Sequence, residues 1–287
     1  MRIAQLLNWR LNDINVQQML DMGFTHIQIG PMQPTKTDEN QWYWLYQPTD
    51  FTIGNRLGSW DDFVTLCKKA HLIGLQVSVD VVLDHPAGRD DGSLYPHEKV
   101  NPYLVSKREF LLDPIQGCNP DNNRWQCTHR CYGMPRYNYF CEEIVQVYEN
   151  FLLNVLAFAD TIRIDMGKHF ATTSEGGFLF WQLIKSLNRD TYAEMINTPE
   201  WLKREYAEYT KCLVLDYEAD IDKDDMVVAF ETHDTYLSFR YTNDMTDDER
   251  INRYRNIVRE YPHTMFYFRP YDSIDTERIK FINIFSN

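Results

Sequence analysis

The sequence predicts an α/β fold, a closed (β/α)8 TIM barrel with a small inserted domain after the third strand. Three observations carry this expectation. Short apolar runs recur between stretches of helical periodicity, eight such runs are present, and one interval, Pro86 to Phe140, breaks their rhythm. Strands alternating with helices imply a parallel sheet, and eight units favour closure over an open sheet. A chain of 287 residues and 34.2 kDa suits one barrel with one excursion.

Taken in order, the strand candidates are "RIAQLLNW", "FTHIQIG", "LQVSVDVVL", "TIRID", "TYAEMI", "KCLVLDY", "MVVAF" and "TMFYF". Each is short and rich in the β-branched, aromatic and aliphatic residues that suit a buried strand. Between the third and fourth candidates, residues 86–140 carry prolines, glycines and asparagines without a strong period. The barrel is therefore assigned to 1–85 and 141–287, and the inserted domain to 86–140. Cys141 to Phe158 restores helical spacing, with Ile144, Val145, Tyr148, Phe151, Leu152, Val155 and Leu156 forming an apolar stripe that leads directly into "TIRID".

Composition narrows the function classes. The chain has 42 acidic and 29 basic residues, a net charge of −13, which opposes binding to nucleic acid and to anionic lipid surfaces. No apolar run approaches the length of a membrane span, and "MRIAQLLNWR" lacks the pattern of a signal peptide. The expectation is a cytoplasmic protein without membrane contact, with a secreted form left open. Of the six cysteines, Cys67 and Cys212 fall in regular segments, whereas Cys118, Cys127, Cys131 and Cys141 crowd the irregular interval. Free thiols are expected there, with one or two disulfides as the alternative. Zinc, with His129 as an extra ligand, is not expected, because no CxxC pair is present.

In such a barrel the chemistry collects at the carboxyl ends of the strands. The third run places Ser78, Asp80, Val82 and Asp84 on one face, followed by His85. The fourth places Arg163 and Asp165 on one face, followed by Lys168 and His169. The fifth places Tyr192, Glu194 and Ile196 together, and the seventh ends in His233 and Asp234. Carboxylates gathered in one cleft repel one another and raise a proton affinity unless a cation sits among them. Arg163 supplies that cation. It is expected to hold Asp165 ionised, while Glu194, placed farther from it, stays protonated. One charged carboxyl beside one neutral carboxyl is the working arrangement of a retaining glycosidase. A structural salt bridge is the plainer reading of Arg163 and Asp165 taken alone. Trp42, Tyr43, Trp44 and Tyr46 add four rings after the second strand, surfaces on which sugar rings stack, although at least one is expected only to seal the barrel.

These segments, in this order, resemble the α-amylase superfamily, glycoside hydrolase family 13. "DVVLDH", "RIDMGKH", "YAEMI" and "FETHD" are similar to its four signatures, "WYWLYQPTDF" to the loop after its second strand, and "YGMPRYNYF" to the end of its inserted domain. The resemblance implies a retaining hydrolase of α-1,4-glucosidic bonds in starch-like α-glucans or maltooligosaccharides. It implies Asp165 as nucleophile, Glu194 as acid and base, and Asp234 as the carboxylate that grips the sugar. Trp42, Tyr43, Tyr46, Gln47, His85, Arg163, Lys168, His169 and His233 become substrate-binding or orienting residues. A transglycosidase of the same family and a non-catalytic carbohydrate- or partner-binding barrel are the alternatives.

The departures matter as well. Asp84 stands where the family usually has an asparagine that binds calcium in many members, so a calcium site at Asp84 and His169 is left open. Arg136, in "MPRYN", stands where the family usually has an acid. Thr232 before His233 argues against a chloride site. The chain stops soon after "TMFYFRPYDSIDTERIKFINIF", as in a compact member without the family's carboxyl-terminal β-sandwich.

Overall fold

Each of the eight predicted runs contains one strand. The strands are β1 (Arg2–Leu6), β2 (His26–Ile29), β3 (Gln76–Val81), β4 (Thr161–Ile164), β5 (Tyr192–Glu194), β6 (Leu213–Asp216), β7 (Met226–Val228) and β8 (Thr264–Tyr267). In the computed structural model, which describes residues 1–91, 93, 95–112, 134–187, 190–217, 220–237 and 244–268, they form a closed parallel barrel in sequence order. Closure comes from β1 against β8, in the register Arg2↔Thr264 to Gln5↔Tyr267.

The helices are α1 (Val16–Asp21), α2 (Trp60–Leu72), α3 (Glu142–Leu156), α4 (Phe178–Ser186), α5 (Glu200–Thr210), α6 (His233–Leu237) and α7 (Asp247–Glu260). Their starts follow local chemistry. Ser59 with Asp62, and Thr246 with Glu249, form reciprocal capping boxes that satisfy the otherwise unpaired amides of α2 and α7. α3 buries Ile144, Tyr148, Phe151, Leu152 and Val155, most of the stripe read from the sequence. Between β6 and β7 the alternation lapses: among the described residues only a 3₁₀ turn, Lys223–Asp225, joins them.

Alternation along the strands sorts the core into two layers. Ala4, Ile27, Val77, Val79, Ile162, Ile164, Val214 and Phe266 pack in the larger cluster that includes the helices' buried faces. Ile3, Leu213, Leu215, Val227 and Met265 form a separate cluster with Tyr192. The Tyr192 hydroxyl reaches across to Gln28 (2.9 Å) and Ser78 (3.0 Å), so that polar side chains from β2, β3 and β5 meet in the barrel's interior.

The segment after β3 is held to the barrel by main-chain bonds: Ala87 N donates to Pro48 O (2.7 Å) and Tyr137 N to Asp84 O (2.9 Å). Its described part carries 3₁₀ turns at Pro102–Val105 and Arg108–Phe110 and isolated bridges Gly88↔Pro96 and Leu111↔Tyr137. Cys118, Cys127 and Cys131 lie outside the described residues, whereas Cys67, Cys141 and Cys212 are free thiols. Burial pushes the Cys67 thiol up to about 12 and the Cys212 thiol up to about 11, which leaves both unreactive near neutral pH. Among the described residues no helix is long and apolar enough to cross a membrane.

Candidate active site

The site is built on Arg163, which points from β4 into the barrel and is 1% exposed. Its Nη1 donates to both oxygens of Asp80 (2.7 and 2.7 Å) and to Asp165 Oδ1 (3.1 Å), and its Nη2 donates to Glu194 Oε2 (2.6 Å). The pair read from "TIRID" is therefore one edge of a four-residue cluster. Asp80 enters because the β3–β4 register sets it opposite Arg163, and it accepts a further bond from the Tyr46 hydroxyl (2.8 Å).

This geometry corrects one expectation. Glu194 is closer to the guanidinium than Asp165 is, and the electrostatics follow. Burial raises the Asp165 carboxyl well above the usual range, and the charges of Glu194, Asp80 and Asp234 push it the same way, against the pull of Arg163. Burial also opposes ionisation of Glu194, but Arg163 first, then Lys168, bring it down to about 2. Of the pair, Asp165 therefore holds a proton more readily than Glu194, the reverse of the expected order.

The turn after β4 holds this cluster closed. Met166 adopts a left-handed conformation (φ 53°) and directs its amide to Glu194 Oε2 at 3.3 Å. Gly167 follows because nothing larger fits: a Cβ there would lie 2.9 Å from Ala193 Cβ and 3.1 Å from Glu194 O. Lys168 then donates to Ile196 O (3.0 Å), which brings its Nζ to 3.9 Å from Glu194 Oε1.

Aromatic side chains make the opposite wall. The 3₁₀ turn Trp42–Tyr46 presents Tyr46, whose ring stacks on His233 at 5.2 Å and 11°, while Trp42 meets His233 edge-on at 5.2 Å. Gln5 Nε2 donates to His233 Nδ1 (3.2 Å), so the imidazole proton sits on Nε2, 3.6 Å from Asp234 Oδ1. Burial lowers the His233 pKa, which keeps this ring neutral. His85 is fixed by donation from Nε2 to Tyr46 O (2.9 Å).

Asp165, Glu194 and Asp234 all line one cavity of about 530 Å³, as do Trp42, Tyr43, Tyr46, Gln47, His85, Lys168 and His233. Arg163 lies beneath the cavity instead of on its wall, and His169 stands aside, its ring 3.7 Å from Asp84. Trp44 does not line it; its indole donates to Glu39 (3.2 Å) and its ring lies under Lys36. Ile196, read from the sequence onto the face of Glu194, also lines it; Met134, Met166, Asn197 and Tyr217 complete the lining and were not singled out in the sequence, although Asn197 has a left-handed φ of 58° and Tyr217 directly follows β6.

The residues named for calcium do not fit a divalent ion here. The Arg136 guanidinium donates to Asp84 Oδ1, through Nε at 2.8 Å and through Nη2, and the same Nη2 donates to the His169 carbonyl (2.8 Å). Both groups expected to face a cation already face one. No cluster of three or more metal-binding side chains occurs among the described residues, and no chemistry is derived through a metal.

No family model matches the chain. It is 34% identical over 174 residues to an α-amylase of Clostridium acetobutylicum, covering 58% of this chain and 22% of that protein. It is 30% identical over 129 residues to an α-amylase of Acarus siro, covering 42% and 25% respectively. The chain thus spans about a quarter of the length of these curated relatives. The crystal structure of α-amylase I from Eisenia fetida superimposes with a TM-score of 0.73 over 94% of this chain and 67% of that one; at 16% identity the likeness is one of fold.

Proposed function

We propose that this member of the α-amylase family, glycoside hydrolase family 13, is a retaining hydrolase of α-1,4-glucosidic bonds in starch-like α-glucans or maltooligosaccharides. The observation that carries the reading is the convergence of Asp165, Glu194 and Asp234 on one cavity, above a buried guanidinium and beside the stacked rings of Tyr46 and His233.

The shared proton gives the cycle its first step. A bound sugar whose glycosidic oxygen draws Glu194 off Arg163 raises the proton affinity of Glu194 and leaves the guanidinium to Asp165. The proton then passes to Glu194, and Asp165 becomes the ionised nucleophile. Asp165 attacks the anomeric carbon as the bond to the leaving oxygen breaks and Glu194 delivers its proton there. Asp234, the carboxylate of the three not tied to Arg163 and about one-third exposed, is the group free to hold ring hydroxyls as positive charge develops. The resulting glycosyl ester on Asp165 is cleaved by water, which Glu194 deprotonates, and two inversions leave the α configuration retained.

Incubation with maltopentaose, followed by proton NMR during the first turnovers, tests the reading. New α-anomers are expected before mutarotation sets in. β-Anomers, or no bond cleavage, would overturn it, and products longer than the substrate would assign the protein to sugar transfer instead of hydrolysis.

A further inference from the structure

We propose that Arg136 is a built-in cation that takes the structural place of a divalent metal, fastening the inserted segment to the barrel so that the cavity keeps its shape without calcium. The inference rests on geometry outside the reacting carboxylates and is independent of the reaction assigned above.

Three stretches of chain meet at this arginine. Asp84 follows β3, His169 ends the turn after β4, and Arg136 belongs to the inserted segment. Arg136 and Asp84 are both 0% exposed. The planar fork spans a carboxylate and a carbonyl at once, a bridging role that a metal ion would otherwise fill and that a point charge on a lysine fills less well.

The charges argue in the same direction. Among the described residues, one buried carboxylate, Asp84, faces the buried guanidinium. A divalent ion added beside them would meet no second carboxylate among the described residues and would face the guanidinium at close range, which opposes its binding. Replacement of the guanidinium by a carboxylate reverses this, leaving two acids and a carbonyl around the vacated position.

The clamp also reaches the cavity. Arg136 O accepts from Leu112 N (2.9 Å), and the guanidinium lies over the Tyr139 ring at 5.9 Å, whose hydroxyl accepts from Ala171 N (2.9 Å). Met134, two residues before Arg136, lines the cavity. On the Asp84 side, Oδ2 lies 3.5 Å from Nδ1 of His85, another lining residue. Arg136 is therefore a positioning residue for one wall of the site.

Thermal unfolding of the full chain, with EDTA and with millimolar calcium chloride, tests the proposal in the unaltered protein and in Arg136→Asp and Arg136→Lys. The unaltered protein is expected to show the same Tm in both solutions. Arg136→Asp is expected to lose about 5–8 °C in EDTA, as for removal of one member of a buried ion pair, and to recover at least half of that loss with calcium. Arg136→Lys is expected to lose less and to ignore calcium. A Tm of the unaltered protein that falls in EDTA, or one equivalent of calcium retained after exhaustive dialysis, would overturn the proposal. So would an Arg136→Asp protein whose loss calcium leaves unrepaired. If Arg136→Asp does not fold, the chelator response of the unaltered protein and of Arg136→Lys decides the matter.

Discussion

Replacement of Asp165 by asparagine is expected to abolish turnover and, at neutral pH, to make the protein more stable. Asp80, Asp165 and Glu194 share the single guanidinium of Arg163, so the buried cluster is over-supplied with negative charge. Two like charges about 5 Å apart repel by about 3 kcal/mol at an effective dielectric near 20, and Asp165 feels such repulsion from both neighbours while attracted by one cation. Its carboxyl is accordingly raised in the folded state, by burial first and by these charges second. A group whose folded pKa is raised favours folding when protonated, and that contribution is lost as pH rises through the raised value. Asparagine keeps the neutral form at every pH. The variant's advantage should therefore be about 1–3 kcal/mol near pH 7, in the range usual for removing functional strain, and should shrink as pH falls toward about 4. For a chain of 287 residues the unfolding entropy is about 0.6 kcal/mol per degree, so the advantage corresponds to about 2–5 °C in Tm. Calorimetry at one scan rate between about pH 4 and 8 measures it, and maltopentaose turnover should fall at least about 10⁴-fold. A Tm at or below that of the unaltered protein at pH 7, or an advantage that ignores pH, would refute the charge reasoning.

Other expectations follow from the same contacts. Arg163→Met leaves three buried carboxylates without their cation and should cost about 3–5 kcal/mol by urea unfolding, with activity lost. Tyr46→Phe removes the 2.8 Å bond to Asp80 but preserves the ring that stacks on His233; it should cost about 1 kcal/mol and change KM by less than about threefold. Gly167→Ala forces a Cβ to 2.9 Å from Ala193 and 3.1 Å from the carbonyl of Glu194, so it should cost about 1–3 kcal/mol and lower kcat more than it raises KM.

The barrel was legible because strands covered on both sides read as nearly continuous apolar runs, and "KCLVLDY" or "TMFYF" needs no alternation to be recognised. The lapse between β6 and β7 was not, since nine residues separate Asp216 from Met226 and their sequence does not announce a missing helix. At the site, Asp165, Glu194 and Asp234 each end an apolar run, which exposes them to a reading along the chain. Asp80 also sits in such a run, but its partnership with Arg163 depends on the register of two strands more than eighty residues apart in sequence. The same cross-strand step brings Glu194 within 2.6 Å of the guanidinium, and local spacing had set it farther away. Asn197, Tyr217 and Met134 reach the cavity from loops, where neither period nor propensity fixes direction.

The central claim is that Asp165 takes the sugar covalently while Glu194 manages the proton. Glu194→Gln incubated with an α-maltooligosaccharyl fluoride, whose leaving group needs no acid, isolates the first half of that cycle. Intact-mass and peptide-mapping spectrometry should find one glycosyl unit esterified to the peptide bearing Asp165. Absence of any adduct, or an adduct mapped to Asp234, would contradict it.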